Sequence, residues 1–172
     1  MKIKHNDIYQ SILFEHDLYK DDRGIFLESY NSFVSKKLNC DFIQDNLVLS
    51  SNKLTFRGMH FQVFPFDQKK LIRVIKGSII DILYDLREQS PSFKKIFQIE
   101  LDDSHKHSLY IPNGVAHGYI TLEANTIVQY KVDKKYSPQH EKGINIKNID
   151  FDYQFLNFNY NDLIISDRDK SF

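Results

Sequence analysis

Short runs in which apolar and polar residues alternate, separated by turn residues, make up most of this chain. The clearest run is residues 57–63, where alternation places Met59 and Phe61 on one face and His60 on the other. Glycine, proline and asparagine mark the turns between such runs. About ten short strands with little helix are typical of an antiparallel sandwich or barrel, so we predict an all-β fold.

The remaining elements follow from the same pattern. Two β-branched runs separated by Lys76-Gly77 predict a hairpin. Residues 31–38 predict a short helix with Asn31 or Ser32 as its N-cap, and the polar residues 15–23 predict a loop. Further strands are predicted at residues 24–29, 71–75, 78–86, 93–101, 108–111, 115–120 and 126–132.

The length and charge of the chain narrow the functional classes. The 172 residues are enough for a sizeable core, and no repeat or linker divides them, so we expect a single domain over residues 1–172. Lys and Arg number 23 and Asp and Glu number 23, which gives a formal net charge of zero. No global field favours nucleic acid or an anionic membrane, and an anionic ligand would have to be held by local clusters of charge.

Cysteine usage and the first residues bear on the compartment. Cys40 is the only cysteine in the sequence, which excludes an intramolecular disulfide and fits a reducing compartment. Residues 1–10 lack the apolar core of a signal peptide, and no apolar run is long enough to span a bilayer. We therefore expect a cytoplasmic protein.

Histidines are the first candidates for chemistry. His60 is predicted to face inward beside Gln62, with Lys70 shortly after it, so it is either a general base in a pocket or a core histidine satisfied by hydrogen bonds. This stretch alone does not separate the two. His105 and His107 have the spacing of metal ligands, but they lie in a charged segment, and we expect a solvated loop there.

Other polar residues leave similar alternatives open. Gln44, Asp45 and Asn46 form either a turn or part of a polar pocket. His117 lies in an apolar strand directly after a tight turn. Tyr130 shares a face with two valines, a setting in which a tyrosine is more often core than catalytic.

Taken in order, several segments resemble the nucleotide-sugar 3,5-epimerase family typified by dTDP-4-dehydrorhamnose 3,5-epimerase. These segments, which run from Asp21 to Asp169, are DDRGIFLESYN, FIQDN, FRGMHFQ, QKKLIRVIKGSIIDILYDLR, SPSF, YIPNGVAHGY, QYKV, YSP and ISDRD. The resemblance implies a cupin-type jelly-roll β-barrel with a few short helices, usually a homodimer. It also implies a cofactor-independent isomerase of carbohydrate biosynthesis.

The resemblance assigns roles to individual residues. It implies that His60 is the general base and that Asp169 is its carboxylate partner. It implies that Tyr130 is the acid on the opposite face of the sugar ring and that Lys70 lies near the 4-keto oxygen. The substrate contacts that it implies, including Tyr136 stacked on the base, are Arg23, Phe26, Glu28, Gln44, Asn46, Arg57, His117, Tyr136, Glu141 and Arg168.

The implied chemistry needs these residue types. A proton next to a ketone is weakly acidic, so inverting C3 or C5 of a 4-keto sugar requires a base, a stabiliser for the enolate oxygen and a proton donor on the opposite face. The substrate expected is a nucleotide diphosphate 4-keto sugar, with dTDP-4-keto-6-deoxyglucose first. A GDP-linked 4-keto heptose, a 3,4-ketoisomerase reaction and a non-catalytic sugar-nucleotide binding module remain alternatives.

A metal-dependent cupin is a different class of protein. It would normally place a second histidine two residues after the first, whereas this chain has His60-Phe61-Gln62. We therefore expect no metal and no cofactor.

Overall fold

The computed structural model of the protein describes residues 2–5, 8–153 and 156–172. Two antiparallel β-sheets enclose an apolar cluster, and a hairpin forms a third, two-stranded sheet. The strands are β1 (Lys2–His5), β2 (Ile12–Glu15), β3 (Tyr19–Asp21), β4 (Gly24–Phe26), β5 (Gln44–Ser50), β6 (Phe56–Gln62), β7 (Lys70–Lys76), β8 (Ser78–Asp85), β9 (Ile96–Asp102), β10 (His107–Ile111), β11 (Val115–Thr121), β12 (Thr126–Val132) and β13 (Glu141–Gly143). The helices are α1 (Ser32–Leu38) and α2 (Asp167–Lys170), and 3₁₀ turns lie at Ile146–Asn148 and Tyr160–Asp162. Within the described ranges, no helix combines the length and apolar character needed to cross a membrane.

The order of strands in the sheets differs from their order in the chain. The six-stranded sheet runs β1-β2-β10-β7-β12-β5, and the five-stranded sheet runs β13-β6-β11-β8-β9. Most strands that are consecutive in the chain therefore lie in opposite sheets, and their connections cross between the sheets as in a jelly roll. The predicted all-β jelly roll with a few short helices is confirmed.

Near the beginning of the chain, one local prediction is confirmed and another is partly wrong. Helix α1 begins after Asn31, whose Oδ1 accepts from Phe33 N at 3.0 Å and from Val34 N at 3.3 Å. The segment predicted as a loop contains β3, because Tyr19–Asp21 pairs with Gly24–Phe26. Its side chains are exposed on both faces, so hydropathy carried no signal for this backbone pairing.

Two predictions near other strands are wrong, and one open alternative is excluded. The hairpin predicted at Lys76-Gly77 does not form, because β7 pairs with β10 and β12 in one sheet whereas β8 pairs with β9 and β11 in the other. The strand predicted from residue 93 begins at Ile96, because Phe93 N donates to Ser90 O and Lys95 N donates to Ser92 O in successive turns. The polar run that begins at Gln44 is not a turn: it opens β5, which pairs with β12 along its length. Tertiary pairing overrides the low strand propensity of these polar residues.

Three apolar clusters hold the structure together. The largest lies between the two sheets and includes the fully buried Ile72 and Leu83. A second lies on the outer face of the five-stranded sheet, where Met59 packs under the chain that follows β13. A third packs α1, through Val34, on the six-stranded sheet. The burial of Met59 confirms the predicted alternation in β6, with His60 on the opposite side.

An irregularity between β6 and β11 decides which side chains share the inner face. His60 pairs with His117 and Arg57 pairs with Tyr119, so β6 advances three positions (60 to 57) where β11 advances two (117 to 119). Strict alternation would turn Arg57 away from the face that carries His60. The extra residue turns it back, and both side chains line the cavity between the sheets.

Two glycines allow the strands to approach at this point. A Cβ at Gly58 would lie 2.4 Å from Gly118 Cα, and Gly58 has a φ of +137°, which residues with side chains rarely adopt. A Cβ at Gly118 would lie 2.9 Å from Arg57 O and from Met59 Sδ. The two glycines thus keep the histidine-bearing parts of β6 and β11 adjacent.

We predict that Gly118→Ala lowers the free energy of unfolding by about 1–3 kcal/mol, because the added methyl group must push β6 away from β11. Urea unfolding followed by circular dichroism measures the effect. Ser51→Ala, at an exposed residue after β5, is the control, with an expected change within about 0.5 kcal/mol. Equal unfolding free energies for Gly118→Ala and the natural chain would contradict the tight approach.

Candidate active site

A cavity of about 350 Å³ opens between the two sheets and contains most of the residues predicted from the sequence. Its walls come from both sheets and from α2. The predicted residues that line it are Arg57, His60, Lys70, His117, Tyr130, Tyr136, Glu141, Arg168 and Asp169. Residues from seven separate elements and loops therefore meet at one site.

A histidine–carboxylate pair lies at one wall. His60 Nε2 is 2.8 Å from Asp169 Oδ1, and Gly58 N donates to Asp169 Oδ2 at 3.2 Å. Burial would raise the pKa of the Asp169 carboxyl, but these hydrogen bonds outweigh it and lower the pKa. Because a carboxylate only accepts, His60 Nε2 carries the proton, and Nδ1 is the nitrogen left to take up another.

The short helix α2 holds the carboxylate in place. Ser166 is its N-cap, and Ser166 Oγ accepts from Asp169 N at 3.1 Å. Asn145 Nδ2 donates to Lys170 O at 2.9 Å, which ties the far end of α2 to the loop after β13. Asp169 is buried as a result, with its side chain directed at β6.

Lys70 is a buried cation beside this pair. Its Nζ donates to His60 O at 3.2 Å, and the residue is only 9% exposed. Burial lowers the pKa of Lys70 to about 8, against the opposing effect of the carboxylates of Asp81 and Glu141. Lys70 therefore remains mostly charged at neutral pH and loses its charge in mildly alkaline solution.

Tyr130 lies on the other sheet. It belongs to β12, whereas His60 belongs to β6, and both line the cavity. Burial raises the pKa of Tyr130, and the negative charge of Glu141 adds to this effect. The phenol therefore keeps its proton at neutral pH and is available as a donor.

His117 is held by a residue that the sequence analysis did not assign to the site. His117 Nε2 is 3.0 Å from Oδ2 of the fully buried Asp81 on β8. Burial lowers the pKa of His117, although Asp81 opposes the shift. Strand alternation puts Asp81 and Asp85 on one face of β8, but it does not indicate which side chain Asp81 meets.

Charged and aromatic residues surround the cavity opening. Glu141 Oε2 accepts from Tyr136 Oη at 2.5 Å and also from Arg168, and this pairing lowers the pKa of Glu141 against the effect of burial. Tyr136 is half-exposed, with its ring free to accept a stacked ligand. Arg57 reaches across to β5, where Nε donates to Ser50 Oγ at 3.0 Å.

The other predicted contacts lie outside the cavity of the single chain. Arg23 is largely exposed and pairs with Asp21. Phe26 is 65% exposed on the β3–β4 hairpin, and Glu28 accepts from Asn31 Nδ2 at 2.7 Å. Gln44 and Asn46 also lie outside the cavity, on the same face of β5 as the cavity residue Val48.

The structure adds three cavity residues that sequence reasoning did not single out. Val48 and Ser166 contribute to the walls, and Tyr119 follows His117 by two positions on the inner face of β11. Alternation from His117 is the signal that could have found Tyr119. Across the described parts of the chain, no group of three or more His, Cys, Asp or Glu side chains is arranged to hold a metal ion.

The arrangement is suited to moving protons on and off carbon. A base with a fixed tautomer lies on one wall, a protonated phenol lies on the other, and a buried ammonium group that donates to His60 O lines the same cavity. These are the three groups that enolate chemistry requires.

Comparisons with known proteins agree with this chemistry. A family model described as dTDP-4-dehydrorhamnose 3,5-epimerase matches residues 5–172. The enzyme of that name from Methanothermobacter thermautotrophicus is 36% identical over 163 residues, which cover 94% of this chain and 87% of the relative.

Two solved structures extend the similarity to three dimensions. The dTDP-4-dehydrorhamnose 3,5-epimerase from Bacillus anthracis, with TDP and PPi bound, has a TM-score of 0.89 and 39% identity, covering 98% of this chain and 96% of the other. The dTDP-6-deoxy-D-glucose-3,5-epimerase from Legionella pneumophila, in complex with dTDP-4-keto-L-rhamnose, has a TM-score of 0.89 and 29% identity, covering 99% and 90%. Because family model, sequence and fold agree over nearly the whole chain, this protein belongs to the dTDP-4-dehydrorhamnose 3,5-epimerase family and is an epimerase with a cupin-type jelly-roll fold.

Proposed function

We propose that this epimerase inverts C3 and C5 of a dTDP-linked 4-keto-6-deoxy sugar. The observation that carries the proposal is the placement of His60 and Tyr130 on opposite sheets of one cavity. A sugar ring held between the sheets would meet a base on one face and a proton donor on the other. Removal from one face and return to the opposite face is what inverts a stereocentre.

The first step is abstraction of the proton on the carbon next to the ketone. The C–H bond breaks, its electron pair forms the enolate, and His60 Nδ1 takes the proton. Asp169 accepts from Nε2 and stabilises the imidazolium that results. A buried carboxylate that is already ionised needs no further reorganisation for this task.

Lys70 supports the proposal as the stabiliser of the enolate oxygen. Negative charge develops on O4 as the proton leaves, and a cation in a largely buried position interacts with it more strongly than a solvated one would. Its hydrogen bond to His60 O places the ammonium group next to the base. Lys70 would thus stabilise the charge on O4 while the neighbouring His60 accepts the proton.

Tyr130 then returns a proton from the other face. Its raised pKa keeps the phenol protonated until the enolate is formed, and the tyrosinate regains its proton from solvent while His60 releases the one it took. Since the ketone at C4 acidifies both neighbouring carbons, the same pair of residues serves C3 and C5 in turn.

The nucleotide part of the substrate would occupy the cavity opening. Arg57 and Arg168 provide positive charge for the diphosphate in a protein whose net charge is zero. The exposed ring of Tyr136 offers a stacking surface for the base. The relatives from Bacillus anthracis and Legionella pneumophila carry TDP and dTDP-4-keto-L-rhamnose, which supports thymine as the base.

We further propose a homodimer in which each chain completes the site of its partner. Leu47 and Leu49, on the outer face of the edge strand β5, are 69% and 56% exposed. An apolar surface at a sheet edge is typical of an interface. A second copy covering β5 would bring its own β3–β4 hairpin, with Arg23 and Phe26, towards the cavity.

We also propose a cytoplasmic location. The sequence has one cysteine, half-buried Cys40, and so contains no intramolecular disulfide of the kind that stabilises many extracellular proteins. Fractionation of cells that express the protein tests this, and its recovery outside the cytoplasm would contradict it.

Incubation with dTDP-4-keto-6-deoxyglucose in D₂O, followed by NMR, tests the reaction. The natural chain should incorporate deuterium at C3 and C5 with inversion. Tyr130→Phe should still exchange at the carbon facing His60 but lower the rate of inversion by about 10²–10⁴-fold, because the opposite-face donor is missing. Absence of exchange on this substrate and on a GDP-linked 4-keto heptose would overturn the proposal.

The titration of Lys70 predicts opposite pH dependences of activity and stability. The value of kcat/KM should fall above about pH 8 as the ammonium group loses its proton. Because the pKa is lower in the folded than in the unfolded chain, the unfolded state binds more protons between pH 8 and about 10.5, so the contribution of Lys70 to stability rises there.

Lys70→Met is the control for both effects. The variant should lose most turnover. The unfolding free energy of the natural chain minus that of the variant should become more positive as pH rises over this interval. A difference that does not change with pH would contradict the burial of a charged Lys70.

Complementation tests the shared site. His60→Ala and Arg23→Ala should each be nearly inactive as homodimers. When equal amounts of the two variants are unfolded together and refolded, half of the dimers contain one chain of each. One of the two sites in each mixed dimer is then intact, so about a quarter of the natural activity should return. No recovery from mixed dimers would show that Arg23 and His60 of one chain serve the same site.

A further inference from the structure

The phenol of Tyr119 is a buried donor without a partner inside the cavity. Tyr119 is 4% exposed and lines the same cavity as His60 and Tyr130. Its hydroxyl makes no hydrogen bond to any of the described residues. Ser50 Oγ, which accepts from Arg57 Nε, lies near enough to the phenol to oppose the rise in its pKa, but the two hydroxyls do not meet hydrogen-bond geometry.

An unpaired buried hydroxyl is costly unless a ligand or water completes it. Burial raises the pKa of Tyr119 to about 12, with Arg57 opposing the shift, so the hydroxyl remains protonated and acts as a donor. Arg57 pairs with Tyr119 across β6 and β11, so its guanidinium is a positive charge near the phenol. A neutral donor beside a cation is suited to an acceptor that carries negative charge.

The position of Tyr119 along the cavity narrows the choice of acceptor. Tyr136 and Arg168 are exposed at the opening, whereas Tyr119 is buried below it and pairs with Arg57 across β11 and β6. Lys70, the proposed partner of the 4-keto oxygen, lies on β7 in the opposite sheet and donates to His60 O. The phosphate ester lies across the sugar ring from the ketone, and the diphosphate is the anion that Arg57 is proposed to bind, so the sugar-linked phosphate is the acceptor expected beside Tyr119.

We propose that the Tyr119 hydroxyl donates a hydrogen bond to the sugar-linked phosphate of the substrate, together with Arg57, and so serves as a binding residue for the diphosphate. This inference rests on the proposed function, because it concerns the phosphate of the same nucleotide sugar. Both groups contact the phosphate before and during the reaction. Loss of the hydroxyl should therefore raise KM more than it lowers kcat.

Tyr119→Phe tests the assignment through two opposite effects. Affinity for dTDP, measured by titration calorimetry, should fall about tenfold or more, because a hydrogen bond to a charged group is lost. Affinity for dTMP, which lacks the second phosphate, should change by less than about twofold. The melting temperature of the free protein should stay level or rise, because an unsatisfied polar group has been removed.

Tyr153→Phe is the matched control. Tyr153 also has a buried hydroxyl without a partner among the described residues, but it packs in the cluster outside the five-stranded sheet and not in the cavity. Loss of the Tyr153 hydroxyl should leave the affinities for dTDP and dTMP unchanged and should shift the melting temperature in the same direction as Tyr119→Phe does.

Each result has a distinct meaning. Unchanged dTDP affinity in Tyr119→Phe would overturn the inference, as would an equal loss for dTMP and dTDP accompanied by a lower melting temperature, which indicates a structural role. If the natural chain binds neither nucleotide, the proposed function itself fails. If dTDP binding is unchanged but KM for the sugar nucleotide rises, the hydroxyl contacts the sugar and the phosphate assignment is wrong.

Discussion

The hydrogen bond between His60 and Asp169 joins residues 109 positions apart, and much of the structure serves to bring them together. The chain after β13 is hydrogen-bonded along β6: Met59 and Ile144 exchange backbone hydrogen bonds, and Phe56 N donates to Ile164 O. The apolar residues of that segment cover the outer face of the five-stranded sheet. Helix α2 follows directly, so the carboxylate reaches the inner face at a position set by packing on the outer face.

The interior of the barrel combines an apolar half with a polar half. Ile72, Val74 and Leu83 fill the space between the sheets at one side, whereas Lys70, Asp81 and His117 occupy the other. Burying these charges costs free energy, which their mutual proximity offsets only partly. The lowered pKa of Lys70 is one measure of that cost. In an epimerase the same burial strengthens the interaction between the ammonium group and a developing enolate, so the destabilising feature and the proposed catalytic feature coincide.

Local pattern was sufficient for much of the fold. Alternation in β6 and β12 and the N-cap of α1 depend on neighbours within a few residues, and the structure contains each of them. The hairpin predicted at Lys76-Gly77 from the same kind of signal does not form, because β7 and β8 pair with strands of different sheets. β3 was predicted as a loop, because its pairing with β4 uses only the backbone and leaves no mark on local hydropathy. Local pattern also left open whether residues 44–46 form a turn, and their pairing with β12 excludes it. The ordered set of motifs was sufficient to identify the family, since chemistry constrains residue types at many separated positions together.

The amino-acid sequence by itself determined the all-β character, the inward position of His60 and the residue types available for enolate chemistry. Only the tertiary structure decided which of them meet. The extra residue of β6 turns Arg57 into the cavity, crossovers place Tyr130 opposite His60, and packing of the later chain delivers Asp169. It also left the Tyr119 hydroxyl unpaired. The physical reason is range: alternation and capping are set by adjacent residues, whereas the distance between two side chains on different strands depends on sheet pairing and packing summed over the whole chain.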